Sequence, residues 1–173
     1  MGSIPVIDIE LNQQMLEFCK KCLTCLGSMS SAFHIEVFRE KSTGELVFLE
    51  AAARTPGALV PEMCEIIYGA NLELMHYQTQ MDNDVNFGDI QKKLYAGWIT
   101  YPKLYGEVKD IVYPDITLQH QFMSFVHINE HLDSAETLLD SACSVVFWSD
   151  NYDELKVTFE RLKKFSPLII SKR

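Results

Sequence analysis

No apolar run in this 173-residue chain approaches the roughly 18 residues that span a bilayer, so no membrane segment is expected. The start also lacks the basic-then-apolar pattern of a secretory leader. Basic residues are the minority: 15 Lys and Arg stand against 24 Asp and Glu, a formal net charge of −9. Broad nucleic-acid binding depends on Lys and Arg neutralising phosphates, so no nucleic-acid partner is expected. A nucleotide is not excluded, because a bound cation or an arginine reverses the field locally. Cysteine is sparse and odd in number: Cys19, Cys22, Cys25, Cys64 and Cys143. Without a leader that count points to a reducing, cytoplasmic setting. The Cys19-x-x-Cys22-x-x-Cys25 spacing lacks a fourth ligand and falls in a helical pattern, so the thiols read as small packing residues rather than a metal site. There is no internal repeat and no low-complexity segment. At 47% hydrophobic and 23% charged, the chain is globular, with room for one ordinary domain or two small ones.

What is present centres on one stretch. Phe33-His34-Ile35-Glu36-Val37-Phe38 and Leu46-Val47-Phe48-Leu49-Glu50-Ala51-Ala52-Ala53-Arg54 flank Ser42-Thr43-Gly44. A three-residue hairpin loop ends in a residue with positive φ, which glycine adopts without steric cost. Reading Ser42-Thr43-Gly44 as that loop sets Lys41 opposite Glu45, Phe38 opposite Phe48, Val37 opposite Leu49, Glu36 opposite Glu50 and His34 opposite Ala52. Side chains alternate between the faces of a strand. Phe33, Ile35, Val37, Leu49, Ala51 and Ala53 then share an apolar face. His34, Glu36, Phe38, Phe48, Glu50, Ala52 and Arg54 share the other. Like charges directly opposed in a sheet are unfavourable, with Cβ atoms only about 5 Å apart. A cation, a protonated carboxyl or an arginine relieves such a pair; alternatively both acids point into water. Mg²⁺ takes oxygen ligands and often combines one or two carboxylates with substrate phosphates.

His34-x-Glu36, the hairpin, Phe48-Leu49-Glu50-x-x-x-Arg54, Gly57, a helix and Gly69-Ala70-Asn71-Leu72 together resemble the C-terminal part of an ATP-grasp domain. The resemblance is strongest to carboxylate–amine ligases of the amino-acid-ligase and carnosine-synthase-like branch. It covers about residues 32–81 and continues more weakly to the C-terminus. It implies Glu36 and Glu50 as ligands of Mg²⁺, or Mn²⁺ in its place, against the phosphates of ATP. It implies Arg54 as the catalytic contact to a phosphate or acyl-phosphate, and His34, Phe48 and Gly57 as cofactor-binding residues. The implied fold class is α+β: the metal-binding half of an ATP-grasp domain, an antiparallel sheet with helices, followed by a small C-terminal α+β domain. One departure is Ala52, where many members carry an asparagine. Alanine cannot ligate, which puts a second metal position in doubt.

Along the chain, residues 4–9 suit an edge strand or a leader to the first helix. Leu11, Met15, Phe18, Cys19, Cys22 and Leu26 predict a helix over 10–26 that stops at Gly27. Thr55-Pro56-Gly57 predicts a type II turn with Gly57 at positive φ, either open to an anion or simply a tight exit from the strand. Pro61 opens the next helix, Gly69 closes it, and Asn71 caps another that runs to about Met81. Residues 82–90 read as a linker; Asp82 and Asp84 are cation ligands or, more simply, solvated. The domains are thus expected as 1–81 and 91–173. In the second part, strands are predicted over Leu94–Tyr101, Glu107–Tyr113, Gln119–Ile128 and Ser144–Trp148. Asp150 then caps a helix bearing Tyr152, Leu155, Phe159 and Leu162, and Leu168-Ile169-Ile170 forms a last edge strand. His127 and His131 lie four apart beside Glu130, a zinc-like spacing, but His127 falls at a strand end and surface histidines fit better. His34 shares the Glu36 face and is expected to orient it through a hydrogen bond.

Before Phe33 there is no Gly-rich loop, and one helix precedes the hairpin. The expectation is therefore the C-terminal part of an ATP-dependent carboxylate–amine ligase, working on a small carboxylate and an amine through an acyl-phosphate, with the first nucleotide-binding half lying elsewhere. The alternative is a catalytically inactive remnant serving as an interaction or oligomerisation module, a homodimer being one option. A third reading is a nucleotide-independent metal site of His34, Glu36 and Glu50.

Overall fold

In the computed structural model the elements, in chain order, are β1 (Gly2–Ser3), α1 (Ile9–Leu26), β2 (His34–Arg39), β3 (Leu46–Ala52), α2 (Val60–Tyr68), α3 (Leu72–Met81), β4 (Tyr95–Pro102), β5 (Gly106–Ile111), β6 (Gln119–Ser124), β7 (His131–Leu132), β8 (Ser141–Ser149), α4 (Tyr152–Leu162) and β9 (Leu168–Ser171). The structure describes residues 1–27, 30–81, 85–137 and 139–171. Asp82 and Asp84 lie outside them, so the cation reading of that pair is not addressed. The chain divides into two compact units. One holds Val6–Glu65 and Ala70–Ile90; the other holds Met1–Pro5, Ile66–Gly69 and Gln91–Arg173.

The first unit carries the hairpin. Helix α1 forms because apolar residues recur at helical spacing and both ends are capped. Asp8 accepts a hydrogen bond from the Leu11 amide at 2.9 Å, satisfying one orphan donor. Gly27 takes φ 73° and returns its own N–H to the Leu23 and Thr24 carbonyls. As expected, Asn71 caps α3, its side-chain oxygen accepting from the Leu74 amide at 2.9 Å. The exit from β3 differs from the expected turn. Positive φ falls on Ala58, at 55°, and not on Gly57.

Strands β2 and β3 pair antiparallel, and their register corrects the sequence reading in two places. The Glu40 amide donates to the Glu45 carbonyl and the Gly44 amide to the Glu40 carbonyl, both at 2.9 Å. The loop is therefore the four residues Lys41–Gly44, not three, with Gly44 at φ 76°. Ser42 Oγ and Thr43 Oγ1 donate to the Glu40 carboxylate at 2.7 and 2.8 Å. Those two bonds hold its pKa below the ordinary value. Val37 pairs with Phe48 and Phe38 with Val47, one residue away from the expected partners, and the register then shifts at Glu36/Val37. That bulge leaves Leu49 unpaired and restores the register, so that Glu36 faces Glu50, Ile35 faces Ala51 and His34 faces Ala52. The longer loop and the bulge cancel, and the acids stay opposed.

The hairpin's apolar residues are not sunk in a core. Val47, Phe48 and Leu49 are 51%, 40% and 48% exposed, and Phe38 is 60% exposed.

The second unit holds the large core. Its antiparallel sheet has the order β1-β4-β8-β6, and a second sheet runs β7-β5-β9. Ile99, Tyr101, Val145 and Phe147 of β4 and β8 are buried together with Leu155 and Leu162 of α4. Both long strands read as near-continuous apolar runs because their other face is buried as well, with Trp98, Val146 and Ser144 at 4%, 2% and 3% exposure. A hydroxyl chain links the polar side chains there: Ser144 Oγ donates to Thr100 Oγ1 at 3.0 Å, which meets Ser141 Oγ at 2.6 Å, while among the described residues the buried Trp98 Nε1 has no partner. Tyr101 donates its hydroxyl to the Leu162 carbonyl at 3.0 Å, and burial pushes its pKa up to about 12.

Of the two readings of residues 4–9 the structure has the leader: residues 4–8 are irregular and run into α1, and the N-terminal edge strand is Gly2–Ser3, paired with β4. Two expectations change here. Strand β6 ends at Ser124, not Ile128: Ser124 Oγ donates to the Val126 carbonyl two residues on, and the chain turns away through Asn129 at φ 69°. Helix α4 is capped by Asn151 and not by Asp150, since Asn151 Oδ1 accepts from the Asp153 and Glu154 amides at 3.0 and 3.4 Å.

Candidate functional site

The cross-strand pair decides the geometry. Because β2 and β3 place Glu36 directly against Glu50, and His34 two residues back on the same strand and face, one ligand atom from each of the three side chains comes within 4.8 Å of the others. Among the described residues this is the one such group of His, Cys, Asp or Glu. The α1 cysteines and the His127–Glu130–His131 trio do not converge in this way. Glu130 instead accepts a hydrogen bond from the His127 amide at 2.8 Å, and His131 meets the Tyr105 ring edge-on at 5.9 Å. His76 stands 3.3 Å from Ser31 Oγ, away from the acids.

His34 Nε2 lies 3.8 Å from Glu36 Oε1, within ion-pair range but beyond a hydrogen bond, so the expected orienting bond is not made. Its Nδ1 is buried without a partner. Among the described residues neither Glu36 nor Glu50 has a lysine or arginine ion pair. At about 5 Å in a water-like medium two such charges repel by roughly 1 kcal/mol. An uncompensated pair of hard oxygen donors is what a divalent cation fits.

The remaining sequence-derived residues are not in this group. Phe48 is paired with Val37, one residue out of phase with the acids. Arg54 lies two residues beyond β3; its amide donates to the Ala52 carbonyl at 2.9 Å and its Nη1 to the Thr55 carbonyl at 2.8 Å, with the side chain exposed. Gly57 sits in the loop that follows. It lines a cavity of about 210 Å³ with Pro56, Ala58, Pro61, Glu62, Glu65, Asn71, Leu72 and Glu73. The three glutamates on this wall escaped the sequence reading as site residues; two of them, Glu62 and Glu73, are first-turn acids, which also serve helix ends.

No family model matches the sequence and no curated protein is matched. Solved structures are similar over almost the whole chain. An L-amino acid ligase from Bacillus licheniformis superposes with a TM-score of 0.76 at 16% identity, covering 99% of this chain and 44% of that one. A phosphoribosylglycinamide synthetase from Anaerococcus prevotii gives 0.72 at 16% identity, covering 99% and 45%. A biotin carboxylase from Campylobacter jejuni, solved as a complex with β,γ-ATP, gives 0.64 at 15%, covering 98% and 38%. The chain spans less than half the length of each of these proteins. Its α+β arrangement of antiparallel sheets and helices is part of the ATP-grasp fold.

Proposed function

We propose that this chain supplies the cation- and phosphate-binding half of an ATP-dependent carboxylate–amine ligase. The observation that carries the reading is the opposed Glu36–Glu50 pair, uncompensated by any Lys or Arg ion pair among the described residues, in a chain whose fold is shared with part of an L-amino acid ligase. Glu36 and Glu50 would hold the Mg²⁺. When bound, the ion would supply positive charge against the phosphates, whose charge phosphoryl transfer to a carboxylate must redistribute. Arg54, released from the Thr55 carbonyl, offers a planar fork to a phosphate or acyl-phosphate. The Gly57 loop would offer backbone N–H groups to that anion, and Phe48 apolar surface to the nucleotide. The amine would then attack the acyl-phosphate carbonyl, forming the C–N bond and breaking the acyl C–O bond, with inorganic phosphate leaving and the amine's proton passing to solvent; the electrostatic work is positioning and charge neutralisation.

The test is Glu50→Gln in the intact protein. It is expected to abolish ADP release driven by the carboxylate substrate, and full activity would refute the reading.

The exposed apolar row of the hairpin favours a second reading, a folded module whose partner covers Val47, Phe48 and Leu49. Calorimetry with ATP and Mg²⁺ separates the two. Micromolar affinity in this chain supports a nucleotide site, and absence of binding in both this chain and the intact protein supports the module.

A further inference from the structure

We propose that His34 is a third ligand of the Glu36–Glu50 site, making it an imidazole–carboxylate–carboxylate set that prefers Mn²⁺ to Mg²⁺; this rests on the reading that the two acids hold a cation. Three observations carry it. His34 stands directly opposite Ala52, whose methyl group neither ligates nor fills the space beside the acids. One nitrogen of the ring lies within 4.8 Å of an oxygen from each carboxylate. Three ligands of one ion at about 2.1 Å lie roughly 3.0–3.6 Å from one another, so a separation at the 4.8 Å limit closes by a little over an ångström. Glu36 and Glu50, both exposed, supply that shift by rotation. The ring itself is better fixed, its side chain 26% exposed against 47% for Glu36. Finally, among the described residues Nε2 is uncommitted, 3.8 Å from the nearest carboxylate oxygen of Glu36 and so beyond a hydrogen bond. Nε2 is therefore the nitrogen that faces Glu36 and is open to a metal ion.

The chemistry sets the preference. Mg²⁺ takes oxygen ligands almost exclusively, whereas transition metals accept imidazole and carboxylate together. Mn²⁺ is the suitable probe because softer ions would also take the thiols of Cys19, Cys22 and Cys25.

The experiment is calorimetric titration of the 173-residue protein with MnCl₂ and with MgCl₂, without nucleotide, alongside imidazole NMR spectra during the Mn²⁺ titration. Mn²⁺ is expected to bind at least about tenfold more tightly than Mg²⁺ and to broaden one of the five imidazoles first. His34→Ala should remove the preference and leave Mg²⁺ affinity within about twofold. His34→Asn, whose amide oxygen suits Mg²⁺, should narrow the gap from the other side and guards against a fold defect in the alanine variant. An unchanged Mn²⁺/Mg²⁺ ratio in both variants overturns the proposal while leaving the acids as ligands. No binding of either ion also overturns it, and leaves the nucleotide-bound cation to the Glu50→Gln activity test. Unchanged affinities in Glu36→Gln and Glu50→Gln overturn both readings.

Discussion

Replacing Glu50 by Gln should change the sign of its effect on stability when a divalent cation is added. The two carboxylates face each other directly across β2 and β3, and neither has a Lys or Arg ion pair among the described residues. With Cβ atoms about 5 Å apart, Coulomb's law in a water-like medium gives a repulsion of about 0.8 kcal/mol. Glutamine keeps the shape and removes the charge, so in metal-free, low-salt buffer the variant should be more stable by that amount, about 2–4 °C in melting temperature for a chain of this length. Raising ionic strength to about 1 M shortens the Debye length to about 3 Å and should erase most of the gain. Adding cation should then reverse the order. The wild type gains RT ln(1 + [M]/Kd), which is about 2.7 kcal/mol at a hundredfold excess over Kd, and the variant loses most of it. Thermal unfolding followed by circular dichroism, with and without chelator and at two salt concentrations, measures all four corners. A variant less stable than wild type in metal-free, low-salt buffer would refute the reasoning. So would a gain that ignores salt.

Two other expectations test the fold around the site. Asn151→Ala should cost about 1 kcal/mol by denaturant titration, because it leaves the Asp153 and Glu154 amides at the start of α4 without their acceptor, while Asp150→Ala should lie within about 0.5 kcal/mol of wild type. For Tyr101 the folded-state pKa, about 12, lies above the ordinary value of 10. The folded protein therefore holds a proton that the unfolded chain gives up, so this contribution to stability is complete below pH 10 and is lost as pH rises towards 12. Ultraviolet titration of phenolate should find one late tyrosine that Tyr101→Phe removes; its persistence in that variant would contradict the assignment.

The site was legible in the sequence to an instructive degree. The opposition of Glu36 and Glu50 followed from assuming a three-residue loop and an unbroken ladder, and both assumptions fail. The loop has one more residue, the extra Leu49 of the bulge compensates, and the ladder pairs between them, Val37–Phe48, Phe38–Val47 and Arg39–Leu46, come out shifted. The glycine signal at Gly44 marked where positive φ falls but not how many residues precede it. Near Arg54 the same reasoning failed: Gly57 follows Pro56 in turn-like order, yet Ala58 takes the positive φ. Strand β7 has two residues and no period to detect, so only its pairing with Gly106 and Glu107 defines it.

By itself the sequence determined what depends on near neighbours. Helix limits follow from caps within three or four residues, as at Gly27, Gly69 and Asn71, and strand faces follow from alternation. It also determined the residue types that can meet a cation, two acids and a histidine on one hairpin face. The tertiary structure decided what depends on partners distant in sequence. It set where β6 leaves β8, which hydroxyls satisfy one another beneath β4, and that no Lys or Arg ion pair among the described residues relieves Glu36 and Glu50. It also decided that a ring nitrogen of His34 stands within 4.8 Å of an oxygen from each of those acids. The physical reason is range. Capping and alternation act over a few bonds of chain, whereas charge compensation and ligand geometry depend on which side chains the folded chain brings within about 5 Å.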